Sequence, residues 1–168
     1  LKMIHLINRK SIPISDYFNS LCFIPVSVSY EFDPNDLFKA NELYAIKMHQ
    51  KYIKTDKEDL NSIANGISGQ KGLVNLNIGS PINFTDNSYE ACAQLISRSI
   101  LDLYQLQPSN FAACEIQNIK HSLKCNFSEE QIDFAKDYLE TRTKGLEPGI
   151  KALLLEQYSN PVIEKEGL

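Results

Sequence analysis

Hydrophobic positions change their period several times along this chain, and each change marks an element. From Phe23 to Phe32, Ile24, Val26, Val28, Tyr30 and Phe32 alternate with Pro25, Ser27, Ser29 and Glu31. That is the two-residue period of a strand. The apolar face is expected to be buried. The other face carries hydroxyls and ends in a carboxylate, which suits a face looking into a cleft. Asp33-Pro34 closes the strand, because Pro34 has no N–H for a ladder and restricts the residue before it. In open α/β sheets ligands sit beyond the carboxyl ends of strands, which would bring Tyr30, Glu31 and Asp33 near a site. Pro25 argues for an edge position or a bulge. Val74, Leu76 and Ile78, alternating with Asn75 and Asn77, predict a second strand before Gly79-Ser80-Pro81 leaves the sheet.

Between the strands the spacing turns helical. Asn35 or Asp36 can cap a helix reaching Ile53, with Leu37, Tyr44, Met48 and Tyr52 as its apolar stripe. Lys47, Lys51 and Lys54 fall on an adjacent side, which can face solvent, phosphates or an anionic membrane surface. Thr55-Asp56-Lys57-Glu58 is a capping box that opens a helix carrying Leu60, Ile63, Ala64 and Ile67, and Gly66 to Gly72 end it. Ahead of the first strand, residues 1–8 read as the end of a helix and 16–21 as a short one.

From Asn87 onward the pattern is helical throughout. Asn87 with Glu90 caps a helix bearing Tyr89, Cys92, Ala93, Ile96, Ile100, Leu103 and Tyr104, ended by Pro108. A short helix covers Phe111 to Ile119. Ser128-Glu129-Glu130-Gln131 opens a helix with Ile132, Ala135 and Leu139 inward, stopped by Gly145. Pro148 suits the first turn of a last helix through Tyr158, which Asn160-Pro161 terminates. Strand, helix and strand in alternation give the fold class α/β. The expected division is a sheet-bearing part over 1–86 and a helical extension over 87–168.

Composition narrows the function classes. The 168 residues make one domain or part of one. The net charge of −4 argues against a nucleic-acid binder, which would be basic. No apolar run approaches the ~18 residues that cross a bilayer. Cys22, Cys92, Cys114 and Cys125 lack metal-type spacing and read as buried reduced thiols, in keeping with a cytoplasmic setting. His5, His49 and His121 show no zinc pattern. Asp33 and Asn35 suit the opening of a calcium loop, but Leu37 and Lys39 stand where ligands or a turn are needed. Gly66-Ile67-Ser68-Gly69 falls short of a nucleophile elbow and does not join a strand to a helix.

Four stretches together carry a resemblance. Ile24-Pro25-Val26 followed by Ser29-Tyr30-Glu31 and Asp33-Pro34 resembles the fourth motif of the phospholipid/glycerol acyltransferase superfamily, in its bacterial glycerol-3-phosphate acyltransferase-like branch. Val74 to Ile82 resembles the family's later strand, ending in Gly-x-Pro plus an apolar residue. Tyr158-Ser159-Asn160-Pro161-Val162 is similar to the Tyr-Ala-Asn-Pro-Val close of that branch, and Leu1-Lys2-Met3-Ile4 to the helix after the family's phosphate-binding loop.

The resemblance implies part of an α/β/α acyltransferase sheet followed by helices. It also implies transfer of a fatty acyl group from a thioester (acyl-CoA or acyl carrier protein) to a glycerol-type hydroxyl, with no other cofactor. Ile24, Pro25 and Val26 would wall the acyl or acceptor pocket, and Ser27, Ser29 and Tyr30 would add polar contacts. A peripheral contact with the inner face of the membrane is implied as well. The family's base is a histidine in His-x-x-x-x-Asp, and it is missing here: Lys10, Lys54 and Asn126 occupy the aspartate positions after His5, His49 and His121. The Gly-Thr-Arg type phosphate motif is absent too. The expectation is therefore a chain without its N-terminal half, inactive alone, with an uncovered strand edge and apolar face. The alternative is a non-catalytic α/β module that binds or scaffolds.

Overall fold

The computed structural model describes residues 1–5, 12–49 and 51–167. Among them the chain runs α1 (Lys2–His5), α2 (Ile14–Ser20), β1 (Val26–Tyr30), α3 (Asp36–His49), α4 (Glu58–Ser68), β2 (Val74–Ile78), α5 (Tyr89–Leu103), α6 (Pro108–Ile116), α7 (Glu129–Thr143) and α8 (Pro148–Glu166). The fold is mixed α/β with helix dominant, and the two strands pair with each other. Expected helix at residues 6–8, with the Arg9-Lys10-Ser11 stretch after it, lies outside the described residues.

The strands are antiparallel. Gly79 N–H donates to the Pro25 carbonyl at 2.9 Å and Glu31 N–H to the Leu73 carbonyl at 2.8 Å. That register sets Val26 opposite Ile78, Val28 opposite Leu76 and Tyr30 opposite Val74. Pro25 stands just ahead of β1, where its missing N–H removes nothing from the strand.

The two faces are the reverse of the expectation. Ser27 and Ser29 are buried, whereas Val28 is 43% and Leu76 61% exposed. The cause is where α5 lies. Asn77 Nδ2 donates to the Leu103 carbonyl at 2.9 Å, and a Cβ on Gly79 would come within 2.8 Å of Leu103 Cδ1. The helix end thus approaches the polar side of β2, and the apolar side has no cover among the described residues.

One compact unit comprises 1–29 and 75–105. Its core is aromatic: Phe18 meets Phe23 and Phe84 edge-on, each pair with ring centroids 5.4 Å apart. Asn19 clasps the Phe84 backbone, donating from Nδ2 to its carbonyl at 2.9 Å and accepting its N–H at 2.8 Å. Helix α5 is capped by Ser88, whose Oγ accepts from Ala91 N–H at 3.0 Å, one place after the expected Asn87.

The other unit comprises 30–74 and 106–167, so the units part elsewhere than at the expected boundary of 86. Ala112, Ala135, Leu139 and Leu154 are fully buried at its centre. Ser128 and Gln131 form the expected capping box, each side chain accepting from the other's backbone N–H, at 3.3 and 3.0 Å. Gly145 adopts φ +75°, the left-handed conformation of a helix stop. Pro108 begins α6 instead of ending α5, in keeping with the preference for proline at a first turn. Helix α8 runs through Pro161 to Glu166. Fully buried Val162 beyond the proline holds that last stretch in the core despite the lost backbone bond.

Candidate functional site

The six residues expected to line a pocket divide between the two sides of β1. Ile24, Val26 and Tyr30 lie on the open side, each between 39% and 50% exposed. Pro25, Ser27 and Ser29 are buried on the covered side. The serines therefore face protein in this chain and not a recess. The open side continues onto Val74, Leu76 and Ile78, which are 51–67% exposed. These six side chains are all apolar or aromatic.

Glu31, expected near a site, serves the backbone instead. It is buried, and its Oε2 accepts from Leu73 N–H at 2.9 Å. Gly72, at φ +62°, makes this possible, because a Cβ there would fall 2.4 Å from that oxygen.

A second constellation was not visible from spacing. Asp36, the first residue of α3, is fully buried. Its carboxylate accepts from Arg142 Nε at 3.0 Å and Nη2 at 2.7 Å, and from the Tyr158 hydroxyl at 2.9 Å. The Tyr158 oxygen in turn accepts from Asp33 N–H at 3.0 Å, and Gln157 Nε2 donates to the Asp36 carbonyl at 3.1 Å. The Asp33-Pro34 turn and the Tyr158-to-Val162 stretch, over a hundred residues apart, thus meet at one carboxylate. Asp36 lies three positions past Asp33, and Arg142 ends a predicted helix, but only the tertiary fold joins them.

The electrostatics of this knot are self-consistent. Burial, then the Asp36 charge, pushes the Tyr158 phenol far above its ordinary value, so it stays protonated and donates. The hydrogen bond to Asp36 raises the Arg142 guanidinium against the opposing effect of burial. The charges are matched and charge-assisted bonds link them. The edge of Arg142 borders a recess of about 410 Å³ lined with Leu37, Phe38, Asn41, Asn61 and Asn65. Asn41 Nδ2 is spent on the Leu37 carbonyl at 2.7 Å and Asn65 Nδ2 on Pro34 and Asn35, so most of the lining donors are already engaged within the protein. The lining holds no histidine, cysteine or hydroxyl that could act as base or nucleophile.

The remaining candidates are scattered. His5 Nδ1 lies 2.8 Å from the Tyr89 hydroxyl, and its Nε2 is buried with no partner among the described residues. No histidine among them hydrogen-bonds a carboxylate, and no three His, Cys, Asp or Glu side chains gather as a metal site. Cys92 and Cys114 are buried, the latter's thiol pushed up to about 11 chiefly by burial. Cys22 and Cys125 are exposed, contrary to the expectation of four buried thiols. Cys22 owes this to its place in the turn at φ 53°, ahead of the strand and not inside its entrance.

The chain matches no protein-family model, no curated protein and no solved structure. Among the described residues no helix is long and apolar enough to cross a membrane.

Proposed function

We propose that this chain forms one wall of a glycerolipid acyltransferase of the glycerol-3-phosphate acyltransferase-like type. The observation that supports this reading best is the open apolar side of the sheet. Val26, Val28 and Tyr30 with Val74, Leu76 and Ile78 are each 39–67% exposed, and among the described residues the sheet has only two strands. Neither is stable as a final state for a soluble fold. Both suit a sheet that further strands extend and a further layer covers. The residues that carry the family resemblance include those on this surface.

In the proposed reaction the acceptor hydroxyl attacks the thioester carbonyl. A C–O bond forms, the C–S bond breaks, and the hydroxyl proton passes through a histidine to the departing thiolate. That histidine belongs to a His-x-x-x-x-Asp segment not contained in this sequence, paired against the apolar wall. The wall would hold the acyl chain by area alone and take no part in proton transfer.

The test has two readouts. The coding sequence ahead of Leu1 is expected to encode His-x-x-x-x-Asp followed by a Gly/Arg phosphate loop, and the longer protein to release thiol from acyl-CoA or acyl carrier protein in an acceptor-dependent way. The chain from Leu1 alone is expected to release none. Activity of the 168-residue chain by itself, or an upstream sequence without the motif, overturns the proposal. The second outcome would favour a non-catalytic binding module.

A further inference from the structure

Between α3 and α4 lies a cleft with polar walls and an aromatic ring at its middle. Helix α3 buries Asp36 and Ala40. Phe38 and Glu42, two positions to either side of Ala40, therefore lie on the opposite face, with Asn41 beside them. Helix α4 meets that face with its polar side. Leu60, Ile63 and Ile67 are 66%, 60% and 78% exposed, which leaves Glu58, Ser62 and Asn65 turned inward. A helix of a soluble domain ordinarily turns its apolar stripe inward, and here hydrogen bonds hold the reverse. Asn35 Nδ2 donates to the Ser62 carbonyl at 3.1 Å, and Asn65 Nδ2 to the Pro34 carbonyl and, at 3.1 Å, to Asn35 Oδ1. Gly69 permits the approach, since a Cβ there would lie 2.5 Å from Pro34 Cβ.

Phe38 is shared by two recesses. Its ring is 44% exposed. It borders the recess of about 410 Å³ that Asn41, Asn61 and Asn65 line, and a smaller one of about 130 Å³ with Glu42, Glu58 and Asp59. The amide nitrogens of Asn41 and Asn65 are spent on the protein's own backbone, so their oxygens are the ends left for a ligand. The Asn61 amide has no partner among the described residues. Glu58 accepts from the Tyr52 hydroxyl at 2.6 Å and Thr55 N–H at 3.0 Å, and these bonds hold its carboxyl below the usual range and charged. The cations of the lining are each paired already: Lys39 with Glu42 at 3.2 Å, Lys54 with Asp59 at 2.7 Å and Arg142 with Asp36 at 2.7 Å.

Fixed acceptors around an open aromatic ring select the ligand. A phosphate or nucleotide would meet carboxylates whose lysines are already neutralised. An acyl chain would leave amides and carboxylates facing hydrocarbon. A sugar ring satisfies both parts. The slightly positive hydrogens of its C–H face suit the electron-rich face of an aromatic ring, and its hydroxyls donate to the oxygens on either side. The larger recess is within the size range of small-molecule sites.

We infer that the α3–α4 cleft is a carbohydrate site, a pyranose ring lying on Phe38 with its hydroxyls donating to the Asn41, Asn61 and Asn65 amide oxygens and to the Glu42 and Glu58 carboxylates. The inference goes beyond acyl transfer and does not rest on it.

The experiment is a titration of the full chain with methyl β-glucopyranoside, methyl β-galactopyranoside, methyl α-mannopyranoside and N-acetylglucosamine, followed by amide chemical shifts. Inorganic phosphate and adenosine serve as comparisons. At least one sugar is expected to bind in the millimolar range and to shift amides of α3 and α4. Phe38→Ala is expected to weaken that binding about tenfold, and Asn61→Ala about fivefold. Circular dichroism melts should match wild type for Asn61→Ala, whose side chain is exposed and bonds nothing else among the described residues. Phe134→Ala removes a more exposed ring outside the cleft, 60% open, and should leave sugar binding in place. The inference is overturned if none of the four sugars shifts those amides, or if Phe38→Ala and Asn61→Ala bind as wild type does. Tighter binding of phosphate or adenosine at the same amides, or equal loss of binding in Phe134→Ala, overturns it as well.

Discussion

Val162 and Leu154 in α8 are fully buried, and the ion pair of Asp36 with Arg142, buried at its carboxylate end, is bonded from several sides. Val28 and Leu76 in the sheet have the same chemistry as that core, yet each leaves about half its surface in water. The helical region is the more closed of the two: Ala112, Ala135, Leu139 and Leu154 are fully buried at its centre and its buried polar atoms are nearly all matched, while Phe134 and Ile163 stay at its surface. The sheet is closed only on its serine side. A closed region is explained by its own contacts. An open one points to something it was shaped to meet.

The comparison can be broken most forcefully from the closed side. Arg142→Ala leaves the Asp36 carboxylate buried without its cation. It is expected to cost about 3–5 kcal/mol in urea unfolding, and a loss under ~1 kcal/mol would mean that water already reaches the pair.

Tyr158→Phe is the next in size. It removes the donor to Asp36 and the acceptor for Asp33 N–H, and should cost ~1–3 kcal/mol. It also carries a pH signature. The Tyr158 phenol is raised in the fold from an ordinary 10.0, so the unfolded chain loses that proton first. Its contribution is complete below about pH 10 and declines as pH rises beyond it. Stability measured between neutral pH and pH 11 should fall less steeply in Tyr158→Phe than in wild type; parallel curves would remove Tyr158 from the account. The smallest stability effect is expected in the sheet, where Val28→Ser with Leu76→Ser should stay within about 0.5 kcal/mol of wild type, because little burial is lost.

Period and capping chemistry made most elements legible. The alternation of Val26 to Tyr30 and of Val74 to Ile78, the Ser128–Gln131 box and the inward Ile132, Ala135 and Leu139 all appear where the pattern puts them. What alternation cannot say is which side is covered. A strand with one aliphatic and one hydroxyl side reads as apolar-in only if the covering layer is part of the same chain. Here α5 lies against the hydroxyl side, so the apolar side of the first strand, expected to be buried, is open and its serines are covered. The spacing of Leu60, Ile63 and Ile67 marks a helix stripe but not the side it faces; they are exposed, and the inner side of α4 is built from Gly66 and Gly69, residues that register in sequence only as helix ends. The Asp36–Arg142–Tyr158 knot was illegible because Asp36 lies more than a hundred residues from its two partners, although Tyr158 belongs to one stretch that carried the family resemblance and Asp36 follows another. Pro161 misled because a local stop signal was weighed without the burial of Val162 beyond it.

The open sheet side is the claim on which the functional reading rests, and a hydrophobic fluorescent dye titrated onto the native chain tests it most directly. Wild type is expected to bind dye under native conditions, and Val28→Ser with Leu76→Ser to lose a clear share of that fluorescence at unchanged melting temperature. Equal dye binding by the two proteins, or none by either, would mean that this surface is not open in solution, and would contradict the account.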